Sequence, residues 1–108
     1  MNFLYYLPMA PEIQNPAEVE LAALLKEIPP LIDRLNQEYN KFFSGAERKA
    51  PAPLRAQVNA KVERLRQSAQ QVKSASGRFR AQNMVAQYSS RTAIWDKKLR
   101  EREATGSR

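Results

Sequence analysis

Hydrophobic residues recur every three or four positions over three long segments of this chain, a spacing that places them on one face of an α-helix. In the first segment they are Leu21, Leu24, Leu25, Ile28, Leu31, Ile32, Leu35, Tyr39, Phe42 and Phe43. In the second they are Leu54, Val58, Val62, Leu65, Ala69 and Val72. In the third they are Ala81, Val85, Tyr88, Thr92, Trp95 and Leu99, with the heptad rhythm of a coiled coil. No segment alternates with a period of two for long enough to predict a strand.

Local signals predict where the first helix begins and ends. Asn15 is a good N-cap, Pro16 suits the first helical position, and Gly45 supplies a C-terminal stop. The Pro29-Pro30 pair lies outside the apolar stripe, which keeps its register across it. Two interpretations follow: one long kinked helix, or two helices that meet at Pro30. We favour a kink or break at residues 28–30 in an otherwise collinear segment.

Turn-forming residues divide the rest of the chain. Residues 44–53 contain a glycine and two prolines and predict a connector, after which Pro53 opens the second helix. Residues 74–77, Ser-Ala-Ser-Gly, permit a turn or a kink before the third helix. Phe79 falls off the stripe of that helix, so it is either redirected into the core by the turn or exposed between two arginines.

The N-terminal segment has a different character. Prolines at positions 8, 11 and 16 exclude a long helix there. We expect an extended arm, which either packs on the helical body or docks on another protein; packing on its own domain is favoured. Its docking residues would be Phe3, Leu4, Tyr5, Tyr6 and Leu7.

Together these patterns predict an all-α fold, an elongated antiparallel helical hairpin or three-helix bundle. We expect an arm over residues 1–14, a single helical domain over 15–103 and a disordered tail over 104–108. A helix of about 28 residues is ~42 Å long. Rods of that length bury a narrow seam, and a homodimer would bury more.

Composition narrows the chemistry. The 108 residues include neither His nor Cys, which excludes Ser-His-acid and Cys-His catalysis and metal sites built on imidazole or thiolate. The sequence contains no glycine-rich phosphate-binding loop. We therefore expect a nonenzymatic protein without catalytic residues, bound metal or cofactor. The N-terminal apolar run is too short to span a bilayer and lacks a basic region before it, so a cytoplasmic location is expected, without membrane insertion.

Charge is divided unevenly along the chain. Residues 1–44 hold six acids and three bases, whereas residues 45–108 hold five acids and fifteen bases, and the net charge is +7. A basic surface presented to an acidic partner is the simplest interpretation. On the helical wheel, the bases that could contact an acidic protein or a phosphate group are Arg78, Arg80, Arg91, Lys98, Arg102, Arg55, Arg66 and Lys73.

Three interpretations of these bases remain open. They could bind an acidic protein, follow a nucleic-acid backbone without reading its sequence, or form a solvated surface in which some of them pair with acids on the first helix. A protein-interaction module, an adaptor or scaffold, is favoured. Sequence-independent nucleic-acid binding through the second and third helices is the alternative.

Several strings resemble an uncharacterised bacterial C-terminal domain of myxobacterial-type multidomain proteins. They are Leu35 to Pro51, Val62 to Arg66, Arg78 to Gln82, Val85 to Tyr88, and Trp95 to Glu101. This resemblance covers residues 35–103 and implies a helical-hairpin accessory or adaptor domain. It implies no activity, ligand or catalytic residue.

Overall fold

A computed structural model describes residues 15–105, which form three α-helices and contain no strand in that range. They are α1 (Pro16–Phe43), α2 (Ala52–Ala69) and α3 (Ala75–Ala104). The predicted all-α class is confirmed. Of the two predicted arrangements, a helical hairpin or a three-helix bundle, the structure is the three-helix bundle. The predicted arm over residues 1–14 lies outside the described residues, as do residues 106–108 of the predicted tail.

Contacts between the helix ends define the topology. At the start of α3, Gly77 lies against Leu21 near the start of α1. Near the end of α3, Arg102 donates to the carbonyl of Phe42 near the end of α1. Thus α1 and α3 run parallel, and α2 returns antiparallel between the two connections.

The start of α1 follows its sequence signals. The Asn15 side chain accepts a hydrogen bond from the backbone N–H of Ala17 at 2.8 Å, and Pro16 occupies the first turn. An N-cap of this kind satisfies one of the backbone donors that a helix leaves without an intrahelical partner.

Pro29 and Pro30 lie inside α1, which is helical on both sides of them. The interpretation of two separate helices is therefore wrong, while a kink at this point stays a prediction. Both prolines are exposed, so the carbonyls that lose their intrahelical donors can bond to water. Ile28, next to them, is completely buried, and the packing of that face holds the helix together across the pair.

Glycine and serine residues set the remaining boundaries. Gly45 has φ of 89°, a left-handed conformation that ends α1 without the strain that a Cβ would bring. The connector runs over residues 44–51, so α2 begins at Ala52, one residue before Pro53. Ser74 caps α3 by accepting from the N–H of Gly77 at 3.0 Å. The segment 74–77 is therefore a helix start.

The core is one continuous seam shared by the three helices. Ile28, Leu35, Val58, Leu65 and Ala81 are completely buried at its centre. At one end, where α1 finishes, the seam becomes aromatic. Nearly all core residues belong to the hydrophobic stripes predicted from the sequence. The other core residues are Ala17, Leu21, Leu24, Tyr39, Val62, Ala69, Val72, Tyr88 and Trp95.

Aromatic rings fill the end of the seam where α1 finishes. Tyr39 stacks on Trp95 with ring centroids 4.5 Å apart and on Phe43 at 5.6 Å, and Tyr88 meets Trp95 edge-on at 6.3 Å. Such pairs add to the stability gained from burying the rings. Phe79, in contrast, is 63% exposed, so the second interpretation of its position is confirmed.

Candidate docking surfaces

The eight bases singled out from the sequence divide into those that hold the fold together and those that face solvent. Arg55, Arg78 and Arg102 are partly buried and bond to other elements of the bundle. The remaining five are exposed. They are Arg66, Lys73, Arg80, Arg91 and Lys98.

Arg55 is the most strongly engaged of the eight. Its Nη1 lies 2.8 Å from Oδ1 of Asp96 and donates to the Tyr39 hydroxyl at 2.9 Å. The guanidinium also lies 5.8 Å from the centre of the Tyr39 ring and 5.9 Å from that of Trp95. The hydrogen bond to Asp96 raises the pKa of Arg55, with a smaller contribution from Tyr39, although burial opposes the rise. In turn, that bond lowers the pKa of Asp96. Arg55 thus joins all three helices, and a partner could recruit it only by breaking these contacts.

Arg102 and Arg78 bond to backbone carbonyls at the ends of elements. Arg102 donates to the Phe42 carbonyl at 3.1 Å, with its guanidinium 4.3 Å from the centre of the Phe42 ring. A cation at this position interacts favourably with the negative C-terminal end of the α1 dipole. Arg78 donates to the Val72 carbonyl at 2.9 Å in the α2–α3 connection. Both arginines therefore contribute to stability.

Acids on α1 pair with two further bases of α2, which are not among the eight. Lys61 lies 2.8 Å from Glu27, and Arg64 pairs with Glu20. Ser68, which is buried, donates to the same Glu20 carboxylate at 2.7 Å. The hydrogen bond from Arg64, followed by that from Ser68, lowers the pKa of Glu20. These two pairs join α2 to α1, and the sequence alone did not identify them.

Three exposed bases form a row along α3: Arg80, Arg91 and Lys98. They are spaced eleven and seven residues apart, close to whole numbers of helical turns, so they share one side of the helix over about 27 Å. Among residues 15–105, none of the three lies within 4.0 Å of a carboxylate. Lys98 has its ammonium 5.4 Å from the centre of the Phe43 ring. We call these three residues the α3 basic row.

A groove between α1 and α3 runs beside Arg80 and Arg91 of the α3 basic row, whereas Lys98 lines neither of its two cavities. One cavity of about 380 Å³ includes Pro29, Ile32 and Asp33 of α1 and Arg91 of α3 in its lining. An adjoining cavity of about 220 Å³ is lined in part by Leu25 and Arg80. The two cavities share Met84 and Gln87. We call this feature the α1–α3 groove.

The sequence did not predict this groove, although a helical wheel places two of its α3 lining residues, Met84 and Gln87, beside the bases. On the helical wheel, Met84, Gln87 and Ile94 lie next to the α3 bases. The α1 wall could not be found in that way, because a stripe of hydrophobic residues does not say which neighbour each flank meets. Leu25 and Ile32 are the α1 residues of this wall that are only partly buried.

The other two exposed bases are Arg66 and Lys73. Arg66 lies 3.5 Å from Glu63, one turn earlier on α2, and both side chains are exposed. Lys73 lies in the connection before α3 and has no carboxylate within 4.0 Å in residues 15–105. The α3 basic row is thus the largest set of predicted contact residues that the fold keeps together and exposed.

Within residues 15–105, no group of three or more Asp or Glu side chains is close enough together to hold a metal ion. None of the three helices is long and apolar enough to cross a membrane. Burial raises the pKa of Tyr88, and its hydroxyl donates to Asn59. The pairing of this hydroxyl fits a structural role.

No protein-family model, curated protein or solved structure matches the chain.

Proposed function

We propose that this protein is a nonenzymatic interaction module, an adaptor or scaffold, that binds an acidic amphipathic helix of another protein in the α1–α3 groove. The observation that carries the proposal is that Arg80 and Arg91 line that groove, with Lys98 further along the same side of α3. Partly buried apolar side chains next to exposed cations suit a helix with one hydrophobic face and acids along its edge.

The floor of the groove supports an apolar contact. Leu25, Ile32 and Met84 are packed against the core yet only partly buried, so a partner could cover their remaining surface. Burial of apolar surface would supply most of the affinity. The cations of the α3 basic row would steer the partner and set its register, as charges at the rim of an interface do.

The length of the row constrains the partner. Arg80 and Lys98 are eighteen residues apart on one helix, which corresponds to about 27 Å. An α-helical partner would need about five turns to meet both ends. Asp33 lies on the opposite wall, so the acids of the partner should lie on the edge that faces α3.

Pairing within the bundle favours a protein partner over nucleic acid. Sequence-independent nucleic-acid binding depends on how many phosphates the protein can neutralise. Of the α2 bases, Arg55, Lys61 and Arg64 already pair with carboxylates of α1 or α3. The basic faces of α2 and α3 therefore offer fewer cations to a phosphate backbone than the sequence suggests.

Other parts of the proposal rest on the sequence. An adaptor role is also what the family resemblance of residues 35–103 implies. A cytoplasmic location and a homodimer remain proposals, as does an N-terminal arm that packs on its own domain.

The test uses a synthetic 20-residue helical peptide with leucines on one face and glutamates along one edge. Binding of the full chain is measured by fluorescence anisotropy at several salt concentrations. Arg91→Glu with Lys98→Glu should weaken binding at least tenfold and leave the circular dichroism spectrum unchanged. The matched control, Lys97→Glu with Arg100→Glu, makes the same change of charge at exposed positions off the row and should weaken binding less than threefold.

A 20-base-pair DNA duplex is the competing probe. Equal weakening by the two double variants would show that net charge alone attracts the peptide, and would overturn the groove. Absence of peptide binding at 20 mM salt, together with DNA binding that falls steeply as salt rises, would establish the nucleic-acid alternative.

A further inference from the structure

A second cavity, of about 340 Å³, lies on the opposite flank of α3, against α2. Its walls include Ala69 of α2 and Ala81, Val85 and Ala86 of α3. Small side chains at these positions leave space between two helices that otherwise pack closely. A volume of this size is near the lower end for sites that bind small molecules, about 300–1,000 Å³.

Two arginines also line this cavity, Arg66 and Arg78. No carboxylate lines it, whereas Asp33 lines the largest cavity of the α1–α3 groove and Glu63 lines the neighbouring cavity between α2 and α3. An apolar cavity with two cations at its edge suits a ligand that has an apolar body and one anionic group.

The two arginines differ in how they are held. Arg78 donates one hydrogen bond to the Val72 carbonyl, which fixes its position and leaves other N–H groups to bind a ligand. Arg66 contacts Glu63 at 3.5 Å, and both side chains are more than half exposed. Exposed pairs of this kind contribute little, so Arg66 can exchange Glu63 for a ligand carboxylate.

We propose that this cavity binds a small amphiphilic carboxylate, with the carboxylate between Arg66 and Arg78 and the hydrocarbon chain against Ala69, Ala81 and Val85. A paired guanidinium and carboxylate form charge-assisted hydrogen bonds, which are stronger than neutral ones. None of the residues that line this site lines the α1–α3 groove, so the site is independent of the proposed function.

Octanoate is the probe, and the full chain labelled with ¹⁵N is titrated with it in nuclear magnetic resonance experiments. We expect saturable shifts of the amides of Ala69, Ala81 and Val85, and binding of octanol or octylamine at least tenfold weaker. Ala86→Leu should fill the cavity and weaken octanoate binding at least tenfold. Ala93→Leu, at an exposed alanine of the same helix that does not line the cavity, is the matched control and should leave binding unchanged.

Arg66→Gln tests the contribution of the positive charge and leaves the bond between Arg78 and the Val72 carbonyl intact. It should weaken octanoate binding at least fivefold. Arg78→Gln is measured only alongside a thermal melt, because its bond to Val72 supports the fold. Absence of shifts at 10 mM octanoate, equal binding of octanol, or an unaffected Ala86→Leu variant would each overturn the proposal. The Arg91→Glu and Lys98→Glu variant should bind octanoate normally, whatever its effect on the helical peptide.

Discussion

Leu35 offers the most direct test of how the bundle is held together. Its side chain is completely buried in the middle of α1, within the seam that all three helices share. Leu35→Ala removes the equivalent of about three methylene groups from that seam, and each is worth ~0.8 kcal/mol of transfer free energy. The cavity left behind adds to this loss, because close-packed neighbours relax only in part.

We therefore expect Leu35→Ala to lower the free energy of unfolding by about 3 kcal/mol. For a chain of this length that corresponds to a fall in Tm of roughly 12 °C. Urea unfolding followed by circular dichroism at 222 nm measures the free energy directly, provided that the slope of its dependence on urea is unchanged. Val62→Ala, on the facing helix and 4% exposed, should cost about 2 kcal/mol by the same reasoning.

Ile94→Ala is the matched control, since it removes a side chain of the same size from a position that is 49% exposed. It should cost less than about 1 kcal/mol. A loss below about 0.5 kcal/mol for Leu35→Ala would refute the packing described here. Equal losses for Leu35→Ala and Ile94→Ala would also refute it, because the difference in burial would then have no effect.

Two further predictions concern acid and backbone conformation. The pKa values of Asp96 and Glu20 lie below their usual values because Arg55 and Arg64 bond to their charged forms. Stability from these pairs is therefore present above about pH 5 and is lost as the pH falls through the lowered values. Thermal melts from pH 7 to pH 2.5 should show that loss, and Asp96→Asn should make it smaller; an unchanged profile in the variant would contradict the pairing. Gly45→Ala should cost about 1 kcal/mol in urea unfolding, because φ of 89° is unfavourable for a residue with a Cβ. Gly45→Asn should cost less, since asparagine tolerates this conformation better, and equal losses would contradict that cause.

The proline pair shows how tertiary packing selects between two local interpretations, one kinked helix or two helices. Pro29 and Pro30 each remove a backbone donor, and the sequence therefore favoured a kink or break. The structure keeps α1 as one helix through both. The reason is tertiary: the two prolines face solvent, while the buried face next to them, which includes Ile28, packs on the other helices.

The docking surface was predicted only in part. Positions on the helical wheel placed four bases on one side of α3: Arg80, Arg91, Lys98 and Arg102. The structure leaves the first three exposed, whereas Arg102 bonds to the Phe42 carbonyl. The same reasoning gave equal standing to Arg55, which the structure encloses between Tyr39, Trp95 and Asp96. A helical wheel gives the direction in which a side chain leaves its own helix. It does not show which residues of other helices lie next to that side chain.

The helices and their buried faces can be predicted from the sequence, because helical periodicity, the cap at Asn15 and the stop at Gly45 act over a few residues. The charge pairs and the cavities between helices cannot be predicted in this way. Glu20 and Arg64 are 44 residues apart, and the walls of both grooves come from different helices. Such contacts depend on how whole helices are placed against one another, which no local pattern of residues specifies.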